Sequence, residues 1–228
     1  MARAQFHQDL QNLQDELLLM ASMASQAVRG SVRALKELDD ELAGEIIMGD
    51  REINGKRMGI EDTCLTLIAT QQPMARDMRL LAGVLEISGE LERIGDYGKG
   101  ICRIVLMMGG RPHIKPLIDI PRMADIALDM LDKAMEAFIN NDAAAAGMIP
   151  AMDDEVDGLY NQIYSELLTL LASHPSEVEQ SNRLLWAAHN LERCADRSIN
   201  ICERVIYTVT GEYRELDDMT ELGYSGIH

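Results

Sequence analysis

Apolar residues recur at intervals of three and four along most of the 228-residue chain. This spacing places them on one face of an α-helix, and the strict alternation typical of strands is scarce. The first such stretch runs from Leu10 to about Leu38, the second from about Glu45 to Ala69, and the third from about Met74 to Met108. The pattern therefore predicts three long helices in the first half of the chain.

The same order of elements returns in the second half. Helices are predicted from Ile120 to about Asn140, from about Ala144 to Ala172 with a kink or late start at Pro150, and from about Glu177 to Thr210. Short links between consecutive helices make neighbours antiparallel. The predicted organisation is a first three-helix repeat over residues 1–110, a linker over 111–114, a second repeat over 115–212 and an acidic tail over 213–228.

A six-residue motif occurs once in each half. Leu91–Asp96 reads Leu-Glu-Arg-Ile-Gly-Asp and Leu191–Asp196 reads Leu-Glu-Arg-Cys-Ala-Asp, and an Ile-Cys pair follows each copy five residues on. Upstream, Met20–Asp50 aligns with Met123–Asp153. Self-similarity over nearly the whole chain indicates duplication. The fold class expected is therefore all-α, with two tandem three-helix bundles related by internal duplication.

Composition and charge limit the kinds of partner that the protein can bind. Leu, Met, Ala, Glu and Arg are plentiful, aromatic residues make up 4% of the chain, and the formal net charge is −17. Such a surface repels phosphate backbones and anionic membranes, but it suits cations or a basic protein partner. With no apolar signal core and no long uncharged apolar run, the chain is expected to be cytoplasmic, without nucleic-acid binding or membrane insertion. The four cysteines form no C-x-x-C pair and are predicted to be small core residues.

Carboxylates in the first half are predicted to meet at one height of the bundle. Glu92 and Asp96 are four residues apart and share a helix face. Asp50 lies about as far before the turn near Gln72 as they lie after it, so an antiparallel hairpin brings all three to one level. Clustered like charges repel unless a cation neutralises them, and oxygen-rich sites suit Mg²⁺, Ca²⁺, Mn²⁺ or iron.

The second half repeats this arrangement with more candidate ligands. Around the turn near Pro175, Asp153 falls level with Glu192 and Asp196. Asp157 is four residues after Asp153, and His189 is one turn before Glu192. The second site is therefore expected to be the stronger metal site.

The first site has substitutions that weaken it. Asn54 stands where the second half has Asp157, and Arg29 and Arg33 stand where it has Asp132 and Glu136. These arginines could pair with the acids in place of a metal. A solvated acidic face with Arg93 and Arg193 as salt-bridge partners remains the competing interpretation.

Catalytic signatures are missing from the sequence. There is no glycine-rich phosphate loop, no G-x-S-x-G, no H-E-x-x-H and no Glu-x-x-His pair. The protein is therefore expected not to be an enzyme, although a metal-dependent hydrolase, a metal buffer or storage protein and a binding adaptor stay open as alternatives. The glycines within the helices are explained either as substitutions tolerated in a long, well-packed helix or as positions of close approach between helices or subunits. A homodimer therefore also stays open.

Several segments together closely resemble the PhoU family over about residues 10–212. They are Pro73-Met74-Ala75-Arg76-Asp77-Met78-Arg79, the two Leu-Glu-Arg motifs, and Asn200-Ile201-Cys202-Glu203. The resemblance implies tandem three-helix bundles with pseudo-twofold symmetry. It also implies a cytoplasmic negative regulator of phosphate uptake and signalling, which couples the ATPase subunit of the phosphate ABC transporter to a sensor histidine kinase.

The resemblance further implies metal binding through the E/D-x-x-x-D motifs, in some members as iron or zinc clusters. The matching residues here are Glu92, Asp96, Glu192, Asp196, Asp153 and Asp157, with Asp50 matching only the first member of the acidic pair. Tyr97 stands where the family often has His after the first motif, and Arg197 stands there in the second. The expected cofactor is a divalent or trivalent metal ion, whether iron, zinc, manganese or magnesium.

Overall fold

The computed structural model describes residues 2–216, and all regular structure in that range is helical. The helices are α1 Ala2–Glu37, α2 Asp40–Gln71, α3 Ala75–Met108, α4 Asp119–Asn140, the single turn α5 Ala143–Ala146, α6 Asp153–Ser173 and α7 Val178–Thr210. A short 3₁₀ segment, Ile149–Met152, lies between α5 and α6, and another, Pro175–Glu177, lies between α6 and α7. The fold is all-α, with α1–α3 forming one bundle and α4–α7 the other, as the duplication predicts.

Local capping explains where two helices begin. The side chain of Asp39 accepts a hydrogen bond from the Leu42 amide at 2.9 Å, so α2 begins at Asp40, ahead of its predicted start near Glu45. Asp142 caps α5 in the same way, through the amides of Ala144 and Ala145. In the second half the predicted helix over about 144–172 is interrupted, because Pro150 lies in a 3₁₀ turn and α6 begins only at Asp153.

The core lies between the helices of each bundle. Leu91, Ile94 and Ile101 on α3 are fully buried, and Leu191 and Ile201 are buried at the equivalent places on α7. All four cysteines are buried, without a disulfide, as predicted; they are Cys64, Cys102, Cys194 and Cys202. The duplicated motifs therefore present their apolar members to the core and their acids toward the flanking helices.

The two bundles pack against each other through α3 and α7, the last long helix of each. Gly83 on α3 lies against Thr208 on α7, while Gly100 lies against Asn190, so α3 and α7 run antiparallel. Within residues 2–216, no helix has the combination of length and hydrophobicity that a bilayer crossing requires. Most of the predicted acidic tail lies outside the described residues.

The non-helical link between the repeats spans residues 109–118 and contacts both bundles. Pro112 accepts a hydrogen bond from Gln180 Nε2 at 2.8 Å, and a ring nitrogen of His113 lies 2.8 Å from the Leu35 carbonyl oxygen. Lys115 forms an ion pair with Glu166 on α6. The link is therefore held against both repeats.

Candidate metal centres

The first carboxylate cluster lies between α2 and α3 and contains a lysine. Asp50 is buried, with 5% of its surface exposed. Lys99 Nζ lies 2.5 Å from Asp50 Oδ2 and 3.5 Å from Asp96 Oδ1. Asn54 Nδ2 also donates to Asp50 Oδ2, at 3.0 Å. Asp50 and Asp96 are thus brought together, as predicted, around the ammonium of Lys99.

Burial and charge explain this arrangement. A buried carboxylate is unfavourable unless it is paired and hydrogen-bonded. The hydrogen bond to Asp50 is the largest cause of a raised pKa at Lys99; desolvation opposes it, and the charges of Asp50 and Asp96 add to it. Lys99 is therefore a cation, held as the counter-charge of Asp50.

The remaining acid of the first cluster has its own partner. Glu92 Oε1 lies 3.9 Å from Arg57 Nη1 on α2. Arg29, a possible partner of these acids from the sequence, instead forms an ion pair with Asp125 on α4, at 3.7 Å. An arginine on the first helix can reach α4 because the two bundles also pack there.

The second cluster lies between α6 and α7 and contains an imidazole and a phenol. His189 Nδ1 lies 2.8 Å from Glu192 Oε2, and the centres of the His189 and Tyr160 rings are 6.2 Å apart. Oδ1 of Asp153 and Oε2 of Glu192 are both shielded from solvent. Asp196 Oδ2 lies 3.6 Å from Arg193 Nε, as the competing salt-bridge interpretation expects.

Unlike the first cluster, the second has no lysine at its centre. Ile199, which is buried, occupies the position equivalent to Lys99, and Asp157 occupies that of Asn54. Partial desolvation and the charge of Asp154 raise the pKa of Asp157. Desolvation, followed by the charge of Glu192, raises the pKa of Tyr160. In this cluster Arg193 pairs with Asp196, whereas the place of the central lysine is taken by the uncharged Ile199.

The donor set of the second cluster fits an oxygen- and nitrogen-binding metal such as iron or manganese. As the side chains stand in residues 2–216, no group of three or more His, Cys, Asp or Glu residues is arranged to hold an ion. Metal binding would therefore require rotation of side chains such as Glu192, whose present partner is His189.

Sequence reasoning missed Lys99, Arg57 and Tyr160 as members of these sites. One signal was available, because Lys99 is three residues after Asp96 and shares its helix face. Arg57 and Tyr160 occupy equivalent positions on α2 and α6, so their difference in charge is also visible in the aligned repeats.

Comparison with known proteins places the chain in a family. The PhoU domain model matches residues 17–105 and again residues 120–205, which correspond to the two bundles. The chain belongs to the PhoU family. A PhoU homolog of Clostridium acetobutylicum, named a phosphate-specific transport system accessory protein, is 34% identical over 96% of this chain and 100% of its own length. The PhoU accessory protein of Escherichia coli K12 is 31% identical over 91% of this chain and 86% of its own.

Solved PhoU structures share the fold. The crystal structure of PhoU from Pseudomonas aeruginosa superposes with a TM-score of 0.85 at 29% identity, covering 91% of this chain and all of the other. The phosphate transport system regulatory protein PhoU from Streptococcus pneumoniae gives the same TM-score and identity over 92% of this chain. The tandem-bundle architecture is thus that of experimentally determined PhoU proteins.

Proposed function

We propose that this protein is a regulatory accessory protein of a phosphate transport system, acting by binding other proteins rather than by catalysis. The observation that carries the proposal is the match of the PhoU domain to both bundles, together with near full-length relatives named as accessory proteins of phosphate-specific transport. Its partners would be the ATPase subunit of a phosphate ABC transporter and a phosphate-sensing histidine kinase. Because ATP is hydrolysed in the cytoplasm, the protein would act there.

Deleting the gene in its native host tests this role. We expect phosphate uptake and a phosphate-starvation reporter to remain high in phosphate-rich medium, and the intact gene to restore repression. Normal repression in the deletion strain would contradict the proposal. Uptake of labelled phosphate and reporter output should be measured together, because loss of transporter coupling and loss of kinase control are separable effects.

Docking on a basic surface is the mode of association that the charge supports. With a formal net charge of −17, the chain would be drawn to positively charged partners, and screening by salt weakens such steering. Purified ATPase subunit should therefore associate more slowly as ionic strength rises, at nearly constant dissociation rate. A salt-independent association rate would argue for an apolar docking surface instead.

The second cluster would hold the metal ion of this adaptor. Glu192, Asp196, Asp153 and Asp157 supply carboxylates and His189 an imidazole, while Ile199 brings no competing charge. The ion would neutralise these acids and fix α6 against α7. Metal content after loading with Mn²⁺, Fe²⁺ or Zn²⁺ should fall in Glu192→Ala/Asp196→Ala.

A matched control separates this effect from loss of surface charge. Glu177→Ala/Glu179→Ala removes the same number of acids at the beginning of α7, where Glu179 pairs with Arg183. This variant should keep its metal. Equal metal in both variants and the wild type would refute the site. In a metal storage protein, by contrast, the bound metal would rise and fall with metal supply, and deleting the gene would leave phosphate uptake unchanged.

A further inference from the structure

The two carboxylate clusters are built on equivalent positions but differ in their counter-charges. In the first, Lys99 and Arg57 face the acids. In the second, the same positions hold Ile199 and Tyr160. The local backbone also differs, because α2 runs through Asp50 whereas α6 begins at Asp153, but the counter-charges differ because of the side chains at these two positions.

The Lys99 ammonium is well placed to act as a counter-ion. It contacts Asp50 at 2.5 Å and Asp96 at 3.5 Å, and it therefore stands between carboxylates from two different helices. Asp50 is nearly inaccessible to solvent, so its charge depends on this contact and on the amide of Asn54. A metal ion binding the same two carboxylates would have to displace the ammonium, since two cations at such short range repel.

We infer that the Lys99 ammonium takes the place of a metal ion in the first bundle, so that Asp50, Glu92 and Asp96 bind no metal while Lys99 is present. The carboxylates of Asp50 and Asp96 would thus be neutralised by an ammonium that belongs to the chain. Only the second bundle would respond to metal supply. This inference rests on the proposed metal site of the second bundle for its contrast, but it concerns separate residues.

The test removes the second site and then Lys99. Glu192→Ala/Asp196→Ala is the parent, and Lys99→Met is added to it, with both proteins stripped and titrated with Mn²⁺ or Zn²⁺. The parent should bind no metal between α2 and α3. Adding Lys99→Met should lower the metal-free Tm by roughly 5–10 °C, because a nearly buried carboxylate loses its partner. It should also create metal binding that raises the Tm again.

Two further variants make the result specific. Adding Asp96→Asn should abolish the new binding, which would assign it to this cluster. Asp50→Asn/Lys99→Met in the parent should regain most of the metal-free Tm without binding metal, because charge and counter-charge are removed together. This last variant also shows whether the position tolerates Met.

Two outcomes would overturn the inference. The first is metal in the parent that Asp50→Asn/Asp96→Asn removes, which would mean that Lys99 does not exclude the ion. The second is a Lys99→Met variant that binds no more metal than its parent. Failure of the second-bundle site gives a different result, namely wild-type metal content that Glu192→Ala/Asp196→Ala leaves unchanged.

Discussion

Gly98 on α3 lies directly against the backbone of Ala27 on α1. A Cβ atom at Gly98 would stand 3.0 Å from the Ala27 carbonyl carbon and 3.0 Å from the Val28 nitrogen. Because these are backbone atoms, they cannot move aside as a flexible side chain would. The glycine therefore sets how closely α1 and α3 approach in the first bundle.

Gly98→Ala should destabilise the protein by about 1–3 kcal/mol, since overpacking forces helices apart. The matched control is Gly89→Ala on the same helix, where nothing lies within 4 Å of a new Cβ. That change should stabilise the protein by about 0.5–1 kcal/mol through helix propensity. Urea unfolding of both variants gives the comparison. Equal effects would show that helix propensity alone governs these glycines.

Glu90 links the two bundles across the α3–α7 contact. Its Oε2 lies 3.3 Å from Arg197 Nη1 and accepts a hydrogen bond from Asn200 Nδ2 at 3.2 Å. Because both charged side chains are mostly shielded, a double-mutant cycle of Glu90→Ala and Arg197→Ala should give a coupling of about 0.5–1.5 kcal/mol.

An exposed pair supplies the control for this coupling. Asp129 and Lys133 pair within α4 with about half of each side chain exposed. Their cycle should give at most about 0.5 kcal/mol, and salt should reduce it further. If the two couplings were equal, shielding at the bundle interface would not strengthen the Glu90 pair.

The long helices could be predicted because their apolar spacing is regular and because Pro and Gly mark their ends. The early start of α2 was missed, since the first turn after the capping residue Asp39 carries few apolar residues. At Pro150 the sequence left a kink and a late helix start open, and the structure shows the late start, at Asp153. Sequence spacing does not say whether a chain recovers from a proline with a bend or, as here, with a 3₁₀ turn and a new helix.

In the first bundle the approach of Asp50 and Asp96 could be predicted from the sequence, but the charge pairing could not. Equal rise per residue along antiparallel helices is enough to bring Asp50 level with Asp96. It does not determine which cation lies between them, because that depends on the rotamer of a long side chain. Lys99 reaches Asp50 across the helix interface, whereas Arg29 turns toward α4. Both outcomes depend on packing between helices distant in sequence.

Gln72 ends α2 in a left-handed conformation, with φ 47° and ψ 58°. A residue with a Cβ is disfavoured there, and the side chain is exposed. Gln72→Gly should therefore raise the free energy of unfolding by about 0.5–1 kcal/mol. The neighbouring Gln71→Gly, at a helical position, should lower it by up to about 1 kcal/mol. Thermal unfolding of the two variants should show shifts of opposite sign, and shifts of the same sign would contradict the argument.

Burial should make the four cysteine thiols unreactive in the native protein. Burial raises the pKa of Cys64, Cys102 and Cys202 from 9.0 to about 12 and also raises that of Cys194. The reactive form is the thiolate, so native protein should react very slowly with a disulfide reagent at pH 8, whereas urea-unfolded protein should titrate all four thiols.

The raised pKa values of the thiols also determine whether the free energy of unfolding rises or falls with pH. Between pH 9 and about 12 the unfolded chain releases thiol protons that the folded chain retains, so the folded state binds more protons. Stability from this source is complete below pH 9 and falls as the pH rises above it. Each thiol contributes a slope of up to about 1.4 kcal/mol per pH unit. Comparing urea unfolding at pH 8, 9.5 and 10.3, Cys102→Ala should lose less stability than the wild type, and an unchanged slope would show that other groups cause the alkaline loss.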